Sequence, residues 1–318
     1  MNNLKEIILG RLPINWRDRL ATVKRYSIAG HWGAPGPTAF FLCDGTTWHG
    51  GLCDRFKGIV SLYALCKARK WNFRIDYSFP FRLEEFLEPN SYIWTAGKGE
   101  KSGNTLHVKM MRLIGDPSAK RLIHSGQQKQ LHIYANRDIV DEINEKYNKT
   151  YQWGRLFREL FKPTQRLHDI IEEHKQKIGG EYVAAAFRMQ NIFGDFKEYE
   201  YEAMAKEEQD EITEKCIEAI KTIISEEEKT VVVTSDSAAF LNKMAEIDGV
   251  YPILGKSSHP DTKDTGITSE EFLKSFVDFY MLAGAEKVFA PATDEMYKSA
   301  FPEMAARLHD IPFERIWL

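Results

Sequence analysis

Side chains suited to bind a ligand follow the predicted strands in the second half of the chain. They are Arg188, Thr234, Ser235 and Asp236 and, after the last strand, Pro291, Ala292 and Thr293. Because ligands of parallel α/β sheets bind at the carboxyl ends of the strands, we expect these residues to lie near one site. A guanidinium can make two charge-assisted bonds to phosphate oxygens, so Arg188 suits a diphosphate. Spacing alone equally allows a structural Arg188 that is paired with Asp195 or Glu200.

A Gly-Gly turn in the first half of the chain is a second feature that could bind an anion. The apolar run 39–43 predicts a buried strand, Gly50 and Gly51 follow it, and a helical pattern starts after Asp54, which we interpret as the N-cap. Glycines before a helix let backbone N–H groups approach an anionic group. Many α/β proteins turn on such a pair without a ligand, so the pattern alone leaves both readings open.

The remaining periodicities indicate alternating strands and helices. Strands are predicted at 71–75, 106–110, 131–134, 182–187, 230–233, 249–253 and 287–289. Helical patterns are predicted at 138–177, 203–224, 238–247 and 268–280. Pro163 is placed in the first turn of a helix, and Thr268 with Glu271 is interpreted as a capping box. Such alternation predicts parallel sheets with covered faces. We therefore predict an α/β fold with an N-terminal domain at 1–150 and a C-terminal domain at 151–318.

Four ordered blocks of sequence resemble the GDP-fucose-dependent fucosyltransferases. This superfamily holds nodulation, N-glycan-core α-1,6- and plant xyloglucan fucosyltransferases. The first block runs from Gly50 to Gly58, with Cys53 where the family usually has Gly, and continues through 73–77 and 83–90. Together the blocks span about residues 38–94 and 180–310.

The donor block of the family is similar to residues 182–196. In the family a strand ends in His-x-Arg, and a Gly followed by an acidic residue comes shortly after. Arg188 matches the essential Arg, and Gly194-Asp195 matches the Gly and the acidic residue that follow it. Ala186 stands where His is usual, and Met189 stands where many members have a second Arg.

The two later blocks supply further matches. Residues 233–237 resemble the Thr-Asp step of the family, in which Asp236 would contact the GDP moiety. Residues 297–301 resemble the last block, in which Ser299, Ala300 and Phe301 would meet phosphate at a helix start. Asp278 matches an acidic position in the preceding helix.

The resemblance implies a GT-B-like architecture, with two facing Rossmann-like domains and a cleft between them. It implies inverting, metal-independent transfer of fucose from GDP-fucose to a glycan hydroxyl, with Arg188 and Ser299 stabilising the departing diphosphate. Asp195 is the first choice for the general base, and Asp44 or His49 on the acceptor side are alternatives; His259 could also reach the donor. The donor contacts implied are Gly50, Gly51, Arg55, Arg188, Asp236, Asp278, Ser299, Ala300 and Phe301.

Composition limits the classes of partner. The chain has 318 residues, 43% of them hydrophobic, and a net charge of −3, which gives no reason to expect nucleic acid. No apolar run is long enough to span a bilayer. The four cysteines lack Cys-x-x-Cys spacing, so we expect buried free thiols. No Asp-x-Asp triplet occurs, so we expect no metal and no cofactor. The Golgi relatives of the family carry a membrane anchor that this sequence does not show, so we expect a bacterial, cytoplasmic enzyme.

Two other functional classes compete with this interpretation of the sequence. A dinucleotide-dependent oxidoreductase is disfavoured because no Gly-x-Gly-x-x-Gly follows any predicted strand. A non-catalytic GDP-sugar-binding protein stays open because Ala186 and Met189 depart from the donor block, and so does a transferase that uses another GDP-sugar.

Overall fold

The structure, a computed structural model, describes residues 13–114, 120–124, 130–196, 203–261 and 267–318. The chain divides into two compact units. Unit 1 comprises the residues up to Gly50, Asp54–Arg82 and Pro89–Gln152, and unit 2 comprises Gly51–Cys53, Leu83–Glu88 and Trp153–Leu318. The sequence placed one boundary between residues 150 and 151 and did not anticipate the two short segments that join unit 2.

The helices and strands alternate along most of the described chain. The helices are α1 Ile14–Arg25, α2 Leu52–Arg69, α3 Lys120–Ile123, α4 Val140–Tyr147, α5 Trp153–Leu160, α6 Gln165–Ile178, α7 Lys206–Glu227, α8 Ala238–Met244, α9 Ser269–Ala283 and α10 Phe301–His309. The strands are β1 Thr38–Cys43, β2 Asn72–Tyr77, β3 Leu87–Pro89, β4 Val108–Arg112, β5 Gln130–Tyr134, β6 Phe161–Pro163, β7 Tyr182–Phe187, β8 Thr230–Ser235, β9 Val250–Pro252, β10 Val288–Ala292 and β11 Phe313–Trp317.

Unit 1 is built on a parallel sheet with the strand order β2-β1-β5-β4. All six residues of β1 are buried, as an apolar strand covered on both faces requires. The chain runs outward from β1 to β2 and then continues on the other side of β1. The strand order therefore reverses between β1 and β5, and the carboxyl ends of these strands mark a switch point where α/β proteins bind ligands.

Unit 2 contains a second parallel sheet, with the order β11-β10-β7-β8-β9. The chain runs from β7 through β8 to β9 and then returns to β10 and β11 on the opposite side. The switch point of this unit lies between β7 and β10. The short strands β3 and β6 form a separate pair.

Apolar side chains cover the sheet of unit 2. A core cluster joins Val183, Val231 and Phe240 with Cys216 and Ile220 of α7, all at most 1% exposed. Aromatic side chains outside this cluster stack on one another; the rings of Phe86 and Phe276 lie 4.4 Å apart. The N-termini of α6 and α8 are capped by the side chains of Thr164 and Ser237, which accept hydrogen bonds from backbone N–H groups. Gly179 ends α6 with a φ of 76°.

The predicted α/β class with parallel sheets is confirmed, and β7 has the predicted bounds. Three local predictions were wrong. The helix α2 begins at Leu52, so Asp54 lies in its first turn and is not the N-cap. Pro163 is the last residue of β6, and Thr164 caps the next helix. Thr268 is the N-cap of α9 but makes no side-chain cap bond, and the Glu271 carboxylate accepts a hydrogen bond from the Ser258 hydroxyl.

Two expectations concern the whole described chain. The four cysteines are buried and free, as predicted. Within the described ranges no helix is long and apolar enough to cross a membrane, and no group of three or more His, Cys, Asp or Glu side chains is arranged to hold a metal ion.

Candidate functional site

Arg188 is the first residue after β7, at the switch point of unit 2. Its Nη1 lies 2.9 Å from Oδ2 of Asp236, and its side chain is 21% exposed. The ring of Phe196 lies against the guanidinium, with 4.3 Å from Cζ to the ring centroid. A carboxylate at the edge and an aromatic ring at the face fix the orientation of the guanidinium. Arg188 is thus held at the edge of the sheet where a ligand is expected.

Asp236 organises the chain that carries Arg188. Its Oδ1 accepts a hydrogen bond from the backbone N–H of Met189 at 2.7 Å, and its Oδ2 accepts one from Gln190 at 2.8 Å. The carboxylate therefore stabilises the turn after β7, in which Gln190 has a φ of 48°. The sequence left Asp195 and Glu200 as structural partners of Arg188; the observed partner is Asp236, and Glu200 lies outside the described residues. The geometry favours a positioning role for Asp236 over the predicted donor contact.

Asp195 lies at the N-terminus of α8. Its Oδ2 accepts hydrogen bonds from the Ser237 hydroxyl at 3.0 Å and from the backbone N–H of Ala239 at 2.8 Å. Its Oδ1 is buried and has no hydrogen-bond partner among the residues that the structure describes. One oxygen thus anchors the side chain at the start of α8, and the other is buried without a partner in the described part of the chain.

The two departures from the donor block leave neutral side chains at this edge. Ala186 is half-buried at the end of β7. Met189 is 0% exposed and belongs to the core cluster of unit 2. The positions where the fucosyltransferases carry His and a second Arg therefore add no charge beside Arg188.

The chain after β10 leads into the N-terminus of α10. The Ser299 hydroxyl oxygen accepts a hydrogen bond from the backbone N–H of Phe301 at 3.1 Å, and its carbonyl accepts one from Arg315 at 2.9 Å. Ala300 precedes the helix without a side-chain cap bond. Since β10 neighbours β7, the positive end of the α10 dipole follows the strand beside the one that ends at Arg188.

Asp278 forms a buried ion pair with Lys274 on α9. The Lys274 ammonium lies 2.6 Å from both carboxylate oxygens, and the side chains are 6% and 8% exposed. Burial raises the pKa of Asp278 to about 6, although the Lys274 charge opposes the shift; the charge of Asp236 adds to it. Sequence reasoning missed Lys274, which the i, i+4 spacing of an acid and a base on one helix could have indicated.

A cavity of about 330 Å³ opens beside this ion pair. Its wall is formed by α6, α9 and the chain after β9, and mixes aliphatic side chains with charged ones. Lys274 belongs both to this wall and to the pair with Asp278. Sequence patterns gave no sign of the cavity.

Arg55 is wholly buried, and its described hydrogen bonds go to protein groups. It donates to the carbonyl of Gly50 at 3.2 Å, the hydroxyl of Tyr77 at 2.7 Å and the carbonyl of Phe79 at 2.8 Å. Gly50 has a φ of +86°, which few other residues adopt, and Gly51 directly precedes α2. These bonds tie the Gly-Gly turn to the end of β2, so the structure favours a structural role for Arg55 over the predicted donor contact.

His49 also points inward. Its side chain is 0% exposed, and its Nε2 lies 2.7 Å from the Leu42 carbonyl oxygen. His259, which the sequence placed near the donor, is 9% exposed and accepts a hydrogen bond from the Asp261 N–H at 3.3 Å. The burial of the His49 ring favours a structural role over that of a base, and contact of His259 with the donor stays a prediction.

Asp44 follows β1 at the switch point of unit 1. It is paired with Arg25 and accepts hydrogen bonds from Thr46 at 2.7 Å and from the Tyr134 hydroxyl at 3.0 Å. Burial would raise the pKa of Asp44, but the bonds from Thr46 and Arg25 outweigh it and lower the pKa to about 2. Asp44 is therefore a weak base. Arg25 and Tyr134 were not found from the sequence because they come from α1 and β5, far from Asp44 in the chain.

Comparison with known proteins gives a likeness of fold. No family model matches the sequence, and no curated protein is detectably related to it. The crystal structure of NodZ α-1,6-fucosyltransferase soaked with GDP-fucose is similar with a TM-score of 0.50 at 12% identity, over 86% of this chain and 93% of that one. Selenomethionine fucosyltransferase NodZ from Bradyrhizobium is similar with a TM-score of 0.52 at 11% identity, over 86% and 92%. The chain has the α/β architecture of these transferases, as the motif resemblance predicted.

Proposed function

We propose that this protein is an inverting, metal-independent glycosyltransferase that moves fucose from GDP-fucose to a hydroxyl group of a glycan acceptor. The observation that carries the proposal is Arg188, which Asp236 and Phe196 hold at the switch point of unit 2. The fold around it is shared with a NodZ structure that was soaked with GDP-fucose.

Arg188 would stabilise the leaving group. Negative charge develops on the diphosphate as the bond to the anomeric carbon breaks, and a pre-oriented guanidinium lowers the energy of that state. The N-terminus of α10, with Ser299, Ala300 and Phe301, offers backbone N–H groups to the same anion. Charge supplied in this way replaces the cation that other nucleotide-sugar transferases bind, so no metal or cofactor is required.

Asp195, which matches the acidic residue of the family's donor block, would accept the proton of the acceptor hydroxyl. Its Oδ2 is held by two donors, while its Oδ1 lacks a partner among the described residues. Asp44 is the weaker candidate because its pKa is lowered to about 2. Gly50, Gly51 and Asp278 stay as predicted donor contacts, and Asp44 as a predicted acceptor contact in unit 1.

A non-catalytic GDP-sugar-binding protein is the second candidate. Ala186 and Met189 favour it, because neither adds charge beside Arg188. A transferase for another GDP-sugar is a variant of the first proposal.

Calorimetric titration of GDP, GDP-fucose, UDP and NAD into EDTA-treated protein tests the proposal. We expect only the GDP compounds to bind, and Arg188→Ala to weaken binding about 100-fold, as the loss of two charge-assisted hydrogen bonds implies. The matched control is Arg166→Ala, since Arg166 is 56% exposed and pairs with Glu270 on the surface. Absence of GDP binding would refute both candidates. GDP-fucose binding with neither transfer nor slow hydrolysis would favour the binding protein.

A further inference from the structure

The helix α1 carries an apolar stripe on its exposed face. Trp16, Leu20 and Val23 are 56%, 45% and 65% exposed. At about 100° per residue, these three side chains lie within an arc of about 60°. Such a stripe is unusual on a helix whose other face is already packed.

The packed face of α1 lies on the opposite side. Asp18 and Thr22 are buried, and the Thr22 hydroxyl accepts a hydrogen bond from the Met110 N–H of β4 at 3.2 Å. The helix is therefore fixed to the sheet of unit 1 by one side. The stripe does not contribute to that packing.

Cations stand on both sides of the stripe. Arg19 lies about 60° from Trp16 in one direction, with its Cζ 5.9 Å from the Trp16 ring centroid, and Lys24 lies about 80° away in the other. Both side chains are exposed. The single acidic residue of α1 is Asp18, which is buried and paired with Arg121. The exposed surface of α1 thus carries positive charge in a chain whose net charge is −3.

We propose that α1 binds the surface of a lipid bilayer that contains anionic headgroups. Apolar side chains bordered by cations are the pattern of helices that lie in the membrane interface, where an indole ring is well accommodated. The 12 residues of α1 span about 18 Å, too short to cross the hydrocarbon core, so the helix lies parallel to the surface. This binding is independent of the proposed glycosyl transfer.

Sedimentation of the full chain with vesicles tests the proposal. We expect binding to phosphatidylcholine vesicles that contain phosphatidylglycerol, weak binding to phosphatidylcholine alone, and a decrease at high salt. Each cation near an anionic surface contributes about fivefold to partitioning, so Arg19→Gln with Lys24→Gln should weaken binding about 30-fold. The matched control is Lys206→Gln with Lys215→Gln, two exposed lysines of α7.

A second pair of variants tests the apolar stripe. Trp16→Ala with Leu20→Ala should abolish binding to the mixed vesicles, while Ile93→Ala, at an equally exposed position of unit 1, should not. GDP titration of all variants should match the unaltered chain, so failure of one proposal is distinguishable from failure of the other.

Four results would overturn the proposal. Equal binding to neutral and anionic vesicles would remove the role of the cations, and an absence of any effect of the α1 variants would remove the role of the helix. If the protein forms a concentration-dependent dimer, and Trp16→Ala with Leu20→Ala makes it dissociate, then the stripe contacts a second copy of the chain instead of a membrane. Folded protein that binds no vesicle would refute the membrane-binding role of α1.

Discussion

Replacement of Arg55 by Met separates a structural role from a donor-binding role. The substitution keeps much of the aliphatic volume and removes every donor of the side chain. The oxygens of Gly50, Tyr77 and Phe79 then lose a bond from a charged donor inside the protein. Each such loss costs about 1 to 3 kcal/mol, and removing the buried charge recovers part of that cost. We expect the free energy of unfolding to fall by about 4 kcal/mol.

Urea denaturation, followed by tryptophan fluorescence, measures this loss. Arg166→Met is the control, because a surface ion pair contributes about 0 to 1 kcal/mol. GDP affinity is measured under conditions where the variant is folded. A loss of stability below about 1 kcal/mol, together with GDP binding weakened tenfold or more, would refute the structural role and restore Arg55 as a donor contact.

Four further outcomes are expected. Asp236→Asn should weaken GDP binding at least tenfold in calorimetry by releasing Arg188, and unchanged affinity would contradict the positioning role. Lys274→Met should cost about 3 to 5 kcal/mol in urea denaturation, whereas adding Asp278→Asn should recover most of it, and additive losses would count against the buried pair. The pKa of Asp278 is raised from 3.8 to about 6, so between these pH values the folded state binds a proton that the unfolded state does not. The free energy of unfolding should therefore decrease as the pH rises from about 4 to about 6. Asp278→Asn should flatten this dependence of stability on pH, and an unaltered dependence would exclude Asp278 as its source. Excess EDTA should leave GDP affinity unchanged. If EDTA lowers the affinity and added Mg²⁺ restores it, the proposal of metal independence is refuted.

Much of the fold could be predicted because its signals are local. The apolar runs of β1, β7 and β8 are continuous, as strands buried on both faces require. The strand β11 was missed because it lies at the sheet edge and mixes Phe313 and Trp317 with charged residues. The pairing of β3 with β6 joins segments that are far apart in the chain, which no local pattern reports.

The site could be predicted in position but not in its internal pairing. Arg188 was found because it follows a recognisable strand. Its partner depends on which strands are neighbours: in the parallel pairing of β7 with β8, Phe187 stands opposite Ser235, so Arg188 and Asp236 come next to each other. Arg55 and His49 are ordinary polar residues in the sequence, and only their complete burial indicates structural roles.

The segment Leu83–Glu88 belongs to unit 2 although the chain on both sides of it belongs to unit 1. During synthesis at about 5 to 20 residues per second, Phe86 leaves the ribosome roughly 10 to 40 seconds before Phe276, the ring on which it stacks. This segment of unit 2 is therefore synthesised long before the helix against which its aromatic ring packs. A fragment that starts at Trp153 would lack this segment, and with it the ring that stacks on Phe276.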